Sequence, residues 1–276
     1  MRNLLIIICV STLVSCNQNS KTIKLDDSVA VVAPMKKDLS NVGQPQFPLS
    51  EITKDFLTYW TYHTHYVKLY NKFLAFDEAG KEIKKLAFLE KLKSGNYLPL
   101  LLNSKNDTLN YKLTKIPAKS FKDLSSVISN DAITEIKHFK LEGKPVPPFK
   151  FKDVNGIEYS SANTRGKIVL FKCWFIGCVA CVKEMPKLNQ LVAFYKNRKD
   201  IVFISLAPDN DKALKEFFTK TKFDYSIVGN QDQYISKVLD VNIFPTHIII
   251  SKIGNIVSVV NNGDDVETIL NAQAKL

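Results

Sequence analysis

The second half of the chain alternates short, mostly apolar runs with stretches in which apolar residues recur every three or four positions. The apolar runs predict buried strands, and the repeat of apolar residues every three or four positions predicts amphipathic helices. Asn155-Gly156, within an alternating segment at 149–159, predicts a hairpin turn ahead of them. Strands that alternate with helices and end in a hairpin predict a three-layer α/β fold. The predicted strands are 168–175, 201–207, 225–228, 247–251 and 256–260, and the predicted helices are 182–195, 211–221, 234–239 and 264–274.

Residues 46–142 have a less regular pattern. Apolar and aromatic positions from Phe56 to Leu74 fit helical spacing, and we predict a helix there although Thr, Tyr, Trp and Val favour strands. Gly95 suits the C-terminal cap of a second helix. The other predicted elements are helices at 84–93 and 124–139 and strands at 97–102 and 109–113. Together they predict a smaller, mixed α+β N-terminal domain, whose role the sequence does not indicate.

A segment rich in proline separates the two patterns. Gly143 is followed by Pro145, Pro147 and Pro148, and these residues prevent a helix from continuing. We therefore place a domain boundary there, with the second domain at 143–276.

The amino-terminal sequence predicts export. A basic start precedes an apolar stretch that ends at Val14, which is too short to span a bilayer but suits a signal peptide. Leu13-Val14-Ser15-Cys16 resembles a bacterial lipobox, in which the chain is cut before the cysteine and the thiol is acylated. The alternative is an ordinary signal peptide with a chance cysteine. We expect a signal peptide at 1–15, lipidation at Cys16 and a polar, flexible tether at 16–45. The expected location is the cell envelope, lipid-anchored to a membrane and facing the periplasm.

The formal net charge of +11 comes from lysines spread along the whole chain. They form no basic stripe with interleaved aromatic residues, which is the pattern of nucleic-acid-binding proteins. We therefore expect a solvated basic surface and no nucleic-acid partner.

Cys178 and Cys181 form a Cys-x-x-Cys pair between a predicted strand and a predicted helix. Helix N-terminal amides and the helix dipole stabilise a thiolate, so this layout is typical of a dithiol redox centre. A structural zinc site would need four ligands, usually in two close pairs, and the sequence has no second Cys-x-x-Cys and no His-x3-5-His pair. The histidines are His63, His65, His138 and His247. We predict no metal site; two inert core cysteines remain an alternative for the motif alone.

The region from 143 to 276 resembles the thioredoxin fold, and within it the TlpA/ResA-like branch of membrane-tethered bacterial thiol-disulfide oxidoreductases. The residues that carry the resemblance are Phe151 to Gly156, Gly166 to Leu170, Trp174 to Cys181, Lys183-Glu184-Met185-Pro186 and Phe244-Pro245-Thr246. Together these segments are more specific than any one of them.

This resemblance implies a thioredoxin-like three-layer sandwich whose Cys178–Cys181 dithiol or disulfide is the redox centre, with no other cofactor. It implies that Glu184 is a partly buried carboxyl of raised pKa that manages protons near Cys181; the alternative is a solvent-facing Glu184 paired with Lys183. We predict that Cys178 attacks and Cys181 resolves, because the N-terminal thiol of such a pair is the one exposed at the helix start. The resemblance further implies a cis peptide bond at Pro245. The residues expected to bind substrate are Trp174, Phe244, Pro245 and Thr246.

Several positions depart from the family pattern. Gly177 replaces a bulky residue before the first cysteine, and Val179-Ala180 replaces the common Gly-Pro or Glu-Pro pair. Lys172 stands where related proteins have Asp or Asn; it either reaches the edge of the sheet or lies beneath the cysteines, where its charge would lower a thiol pKa. Cys173 should point to the opposite face of the sheet and serve as a core residue.

Two functions remain open. The first is an envelope reductase that acts on protein disulfides and receives electrons from a membrane thiol donor. The second is a copper-binding lipoprotein or metallochaperone that uses Cys178 and Cys181 as soft ligands. The Lys183-Glu184-Met185-Pro186 segment and the Pro245-Thr246 groove favour the first, because a metal site requires neither.

Overall fold

The structure of the protein is a computed structural model that describes residues 41–105 and 108–275. The predicted signal peptide at 1–15, the expected lipidation site Cys16 and most of the predicted tether lie outside the described residues. The last part of that tether is described, and it pairs with the folded chain: the Gly43 N–H donates to the Asn103 carbonyl at 2.8 Å, and Pro45 bridges to Leu102.

The first half folds as four helices and a four-stranded sheet of order β2-β1-β4-β3. Strand β1 runs parallel to β4, and the other pairs are antiparallel. Its core is rich in buried aromatic side chains, including Phe47, Tyr59, Tyr62, Phe88 and Tyr111. The elements are α1 Leu49–Ile52, α2 Phe56–Tyr66, β1 Phe73–Phe76, β2 Glu82–Ile83, α3 Lys85–Lys93, β3 Tyr97–Leu101, β4 Leu109–Lys115 and α4 Leu124–Leu141.

The predicted helix from Phe56 to Leu74 is wrong in its second half. Helix α2 ends at Tyr66, and Leu74 lies in β1. The Tyr111 hydroxyl explains the end of the helix, because it donates to the Tyr66 carbonyl at 2.6 Å and accepts from the Lys68 N–H at 2.9 Å. The other elements predicted for this half are confirmed within a few residues, including the left-handed cap at Gly95, where φ is +71°.

The second half is built on a five-stranded sheet of order β11-β10-β7-β8-β9. Strands β7, β8 and β9 are parallel, whereas β10 is antiparallel to both β7 and β11. The hairpin β5–β6 turns at Gly156, which has φ +88°, and confirms the predicted turn. A single π-helical turn spans Tyr234–Val238. The elements are β5 Lys150–Lys152, β6 Glu158–Ser160, β7 Ile168–Cys173, α5 Val179–Lys183, α6 Met185–Phe194, β8 Ile201–Leu206, α7 Asp211–Phe217, β9 Ser226–Val228, β10 Thr246–Ile250, β11 Ile256–Val260 and α8 Gly263–Gln273.

Side chains of β7 alternate between two cores. Phe171 and Cys173 lie in the core that also contains Phe151 of the hairpin. Leu170 lies in the core made with α6 and α8. Because both faces of the sheet are covered, the predicted three-layer α/β architecture is confirmed.

The two halves meet through polar contacts. Asp265 in α8 accepts hydrogen bonds from Lys68 Nζ at 2.9 Å and from the Tyr70 hydroxyl at 2.8 Å. The Gly143 N–H donates to the Ile256 carbonyl at 2.8 Å, so the chain at the predicted boundary is attached to β11. Among the described helices, none is both long enough and apolar enough to cross a bilayer.

Candidate active site

Cys178 and Cys181 are joined by a disulfide at the start of helix α5. Cys178 is the N-terminal capping residue, and its sulfur accepts a hydrogen bond from the Cys181 N–H at 3.2 Å. Cys178 is 7% exposed and Cys181 is fully buried. Cys178 is therefore the less buried of the two cysteines, and a helix N-terminal amide stabilises negative charge on its sulfur.

The loop from Phe175 to Gly177 carries the chain from β7 to this helix. The Ile176 N–H donates to the Asp209 carboxylate at 3.0 Å, and the Cys178 N–H donates to the Phe175 carbonyl at 3.0 Å. These two bonds fix the backbone immediately before the first cysteine.

The Phe244–Pro245 peptide bond is cis, as predicted. The Phe244 ring packs against the buried cluster that contains both cysteines and lies edge-on to Phe175, with ring centroids 5.4 Å apart. Thr246 is buried, and its hydroxyl donates to the Ile243 carbonyl at 2.6 Å. Of the predicted substrate-binding residues in this loop, Pro245 and Thr246 are buried, and Phe244 is partly exposed.

Trp174 does not fit its expected role in substrate binding, because its side chain is completely buried. Its indole N–H donates to the Ser205 hydroxyl at 2.5 Å, and the ring packs against Phe217 and Phe218. Trp174 supports the active-site loop from within. The residue that the loop presents to solvent instead is its neighbour Phe175.

Apolar side chains surround the disulfide at the surface. Val179 is 81% exposed, Ile243 44% and Phe175 37%. Val179 is the first residue of the active-site helix, Phe175 lies three residues before Cys178, and Ile243 lies two residues before the cis-proline. Such a rim suits an apolar stretch of polypeptide.

A buried charged cluster lies on the sheet face covered by α6 and α8. Glu184, at the junction of α5 and α6, has three hydrogen-bond partners around its carboxylate. Lys172 Nζ donates to Oε1, His247 Nε2 is hydrogen-bonded to the same oxygen at 2.9 Å, and the Gly263 N–H donates to Oε2 at 2.8 Å. Lys172 and His247 are both fully buried, and they are direct partners across β7 and β10. Lys172 therefore does not reach the edge of the sheet.

The expected raised pKa of Glu184 is wrong. Burial raises the pKa of this carboxyl, but hydrogen bonds and charge from His247 and Lys172 outweigh burial and hold it below its ordinary value. Burial lowers the pKa of His247 more than Glu184 raises it, so the ring is neutral near pH 7. Burial likewise lowers the pKa of Lys172, against the opposing charge of Glu184.

The sequence contains an indication of this cluster that lies outside the Cys-x-x-Cys motif. Lys172 and His247 are polar residues inside strands that are otherwise apolar, and a buried polar side chain needs a partner. Which partner it finds cannot be derived from spacing, because Glu184 and His247 are 63 residues apart.

Cys173 is a core residue, as expected. It is fully buried on the sheet face opposite Lys172, and burial raises the pKa of its thiol to about 12. Across residues 41–105 and 108–275, no group of three or more His, Cys, Asp or Glu side chains is arranged to hold a metal ion.

Known proteins share the fold and the motif of this second half. The Redoxin family profile matches residues 141–276. The thiol-disulfide oxidoreductase ResA of Bacillus thuringiensis subsp. konkukian is 32% identical over 123 residues, which are 44% of this chain and 70% of that protein. ResA of B. thuringiensis strain Al Hakam is 32% identical over 116 residues, 42% of this chain and 66% of that protein. The chain belongs to the TlpA/ResA-like thiol-disulfide oxidoreductases.

The similarity to the ResA proteins covers less than half of this chain. It spans about two thirds of the length of the ResA relatives. A solved structure, the thioredoxin domain of a thiol-disulfide oxidoreductase from Bacteroides vulgatus, is 27% identical and covers 48% of this chain and 96% of its own, with a TM-score of 0.40. In this TlpA/ResA-like chain, Lys172 forms a buried ion pair with Glu184.

Proposed function

We propose that this protein is a lipid-anchored thiol-disulfide oxidoreductase that reduces protein disulfides in the cell envelope through Cys178 and Cys181. The observation that carries the proposal is the disulfide itself. It joins one accessible and one buried sulfur, lies beside a cis-proline loop and is bordered by exposed apolar side chains.

In the proposed reaction, the reduced protein begins with Cys178 as a thiolate and Cys181 as a thiol. The Cys178 sulfur attacks one sulfur of a substrate disulfide, the substrate S–S bond breaks, and the departing substrate sulfur takes up a proton. Cys181, deprotonated, then attacks the Cys178 sulfur and releases the second substrate thiol. Two electrons pass to the substrate, and the protein is left with the Cys178–Cys181 disulfide seen in the structure.

Differences in exposure support this division of roles. Cys178 keeps 7% of its surface exposed, whereas Cys181 has none, so Cys178 is the cysteine better placed to meet an external disulfide. The amide hydrogen bond to the Cys178 sulfur stabilises its thiolate and makes it the better nucleophile and leaving group.

The substrate class follows from the surface around Cys178. Phe175, Val179 and Ile243 are exposed and apolar, so they favour an unfolded or extended polypeptide that carries an apolar residue near its cysteine. A small, highly charged disulfide would leave them uncovered.

The direction of electron flow and the place of action are the finer parts of the proposal. An exported protein works in an oxidising compartment, so a reductase there needs a thiol electron donor in the membrane to return to the dithiol. The Leu13-Val14-Ser15-Cys16 sequence supports attachment through a lipid on Cys16. Family membership supports the reductive direction.

Covalent trapping tests the chemistry. Cys181→Ser should accumulate mixed disulfides through Cys178, because the second step is blocked, and a reductant should release them. Cys178→Ser should accumulate few, and Cys173→Ser, the matched control for a buried thiol, should behave as wild type. Equal trapping through Cys178 and Cys181 would contradict the assigned roles.

Thiol labelling in intact cells tests the direction. A mass-shifting alkylating reagent should find Cys178 and Cys181 mainly as thiols while the electron donor is present. A disulfide at steady state would favour an oxidase or isomerase instead. Separately, Cys16→Ala should release the protein from the membrane fraction, and unchanged attachment would remove the lipid anchor from the proposal.

A further inference from the structure

The carboxylate of Glu184 is surrounded by hydrogen-bond donors. Oε1 accepts from Lys172 Nζ and from His247 Nε2, and Oε2 accepts from the Gly263 N–H. A proton placed on either oxygen would need an acceptor, but the Lys172 ammonium and the Gly263 N–H can only donate, and the Nε2–H tautomer of His247 also donates. The geometry therefore suits the ionised carboxylate and opposes the protonated acid.

His247 shows which of the partners carries the positive charge. Its Nδ1 is buried and, within the described residues, has no hydrogen-bond partner. A neutral ring that donates through Nε2 leaves only a lone pair at Nδ1, whereas a protonated ring would bury an unpaired N–H together with a charge, which costs more. His247 is therefore the neutral donor, and Lys172 supplies the cation.

We propose that Lys172 and His247 are positioning residues that hold Glu184 as a fixed anion one helical turn beyond Cys181, so that Glu184 carries no proton during thiol exchange. The effect on thiol exchange rests on the proposed function. The ionised state of Glu184 does not. It differs from the expectation that this carboxyl acts as a general acid and base.

The surroundings of the cluster contain few other charges. Asp265 on α8 acts on His247, and Tyr225 lies before β9, where burial and the charge of Glu184 both raise its pKa. Cys173 follows Lys172 on β7 but lies on the other face of the sheet, and Cys181 lies one turn before Glu184. The Lys172 ammonium also lies 5.8 Å from the centre of the Phe223 ring. Since Lys172 and Glu184 offset each other, little net charge acts on the nearby thiols.

This arrangement predicts a simple pH dependence for the nucleophile. In the reduced wild-type protein, the rate of Cys178 alkylation by iodoacetamide should follow one ionisation, that of the thiol. In Lys172→Met, the carboxylate loses its cation, and its ionisation should move into the measured range. A second step should then appear, which changes the rate constant on the order of tenfold, because the uncompensated charge acts on the thiolate.

Three variants test the inference. Lys172→Met combined with Glu184→Gln should restore a single ionisation, which assigns the second step to Glu184, and Lys172→Arg should behave as wild type. Infrared spectra near pH 6 should show more protonated-carboxyl absorption in Lys172→Met than in the wild type or the double variant, both of which have the contribution of Glu135 but not that of Glu184. His247→Gln should change the pH profile of Cys178 alkylation in the same direction as Lys172→Met but by less. This variant replaces Lys172→Met in the test if Lys172→Met does not fold.

Two results would overturn the inference. One is a second ionisation in the wild type that disappears in Glu184→Gln, because Glu184 would then titrate in the native protein. The other is a single ionisation in folded Lys172→Met. Alkylation requires no protein substrate, so these outcomes are distinct from a failure of the reductase proposal, which trapping would reveal.

Discussion

Each half of the described chain contains a histidine, a lysine and at least one acid at buried or half-buried positions, and the two groups have opposite electrostatics. In the second half, Glu184 accepts three hydrogen bonds and has a lowered pKa. In the first half, burial and then the nearby charge of Asp131 raise the pKa of Glu135 to about 8, against the opposing charge of Lys85.

The partners of the two lysines explain the difference. Lys172 is paired directly with the Glu184 carboxylate. Lys85 instead lies 5.1 Å from the centre of the Phe139 ring and donates to the Asn71 carbonyl at 3.3 Å. Asp131 is engaged by His63 at 3.0 Å. What decides the protonation of a buried acid is thus the number of donors aimed at it, since both groups contain the same residue types.

Replacing Lys172 and replacing Lys85 should have the most different effects on stability. Lys172→Met leaves a buried carboxylate without its cation, so the free energy of unfolding at pH 8 should fall by about 3 kcal/mol. Lys85→Met should lower the free energy of unfolding by about 1 kcal/mol, because it removes only the contacts of the Lys85 ammonium with aromatic rings and with a carbonyl. Urea unfolding of both variants in one buffer measures the difference, and equal losses would contradict the contrast.

Glu135 should make the protein less stable as the pH rises. Its pKa of about 8 in the folded state exceeds the ordinary value of 4.5. Between these values the folded protein keeps a proton that the unfolded chain has released, so stability falls with increasing pH. We expect a loss of roughly 1 to 3 kcal/mol from pH 5 to pH 8, reduced by the remaining solvent contact of the side chain. Glu135→Gln should flatten this slope, and a slope that survives in the variant must arise elsewhere.

Glu184 should have the opposite slope. Its pKa is below the ordinary value of 4.5 in the folded state, so its stabilising contribution is complete above that value and is lost as the pH falls through the folded pKa. Glu184→Gln should therefore be more damaging at pH 7 than at pH 3, by about 1 kcal/mol. Thermal unfolding at the two pH values measures this. Equal damage would mean that Glu184 is not an anion in the native state.

The smallest effect should come from an exposed ion pair between the halves. Lys137 on α4 lies 2.8 Å from Asp240, and the Asp240 side chain is 73% exposed. Lys137→Ala should lower stability by about 0.5 kcal/mol or less, because water and salt screen such pairs. A loss above about 2 kcal/mol in chemical denaturation would show that this contact joins the halves more strongly than its exposure suggests.

The sequence predicted local structure well where one signal dominated. The hairpin at Asn155-Gly156, the cap at Gly95 and the order of strands and helices in the second half follow from turn chemistry and periodicity. The failure at Phe56 to Leu74 has a tertiary cause, because the Tyr111 hydroxyl that ends α2 belongs to a strand 45 residues away from Tyr66. Trp174 shows the same limit: its motif predicted a place near the active site but not complete burial.

By itself, the sequence determined the class of fold, the dithiol motif and the faces that alternate along β7, because these depend on neighbours a few residues apart. The tertiary structure decided what lies beneath the active site. Lys172, Glu184 and His247 come from a strand, a helix junction and a second strand, and only the packing of α6 and α8 on the sheet brings them together away from water. Whether Glu184 holds a proton depends on that burial and those donors, which no local pattern encodes.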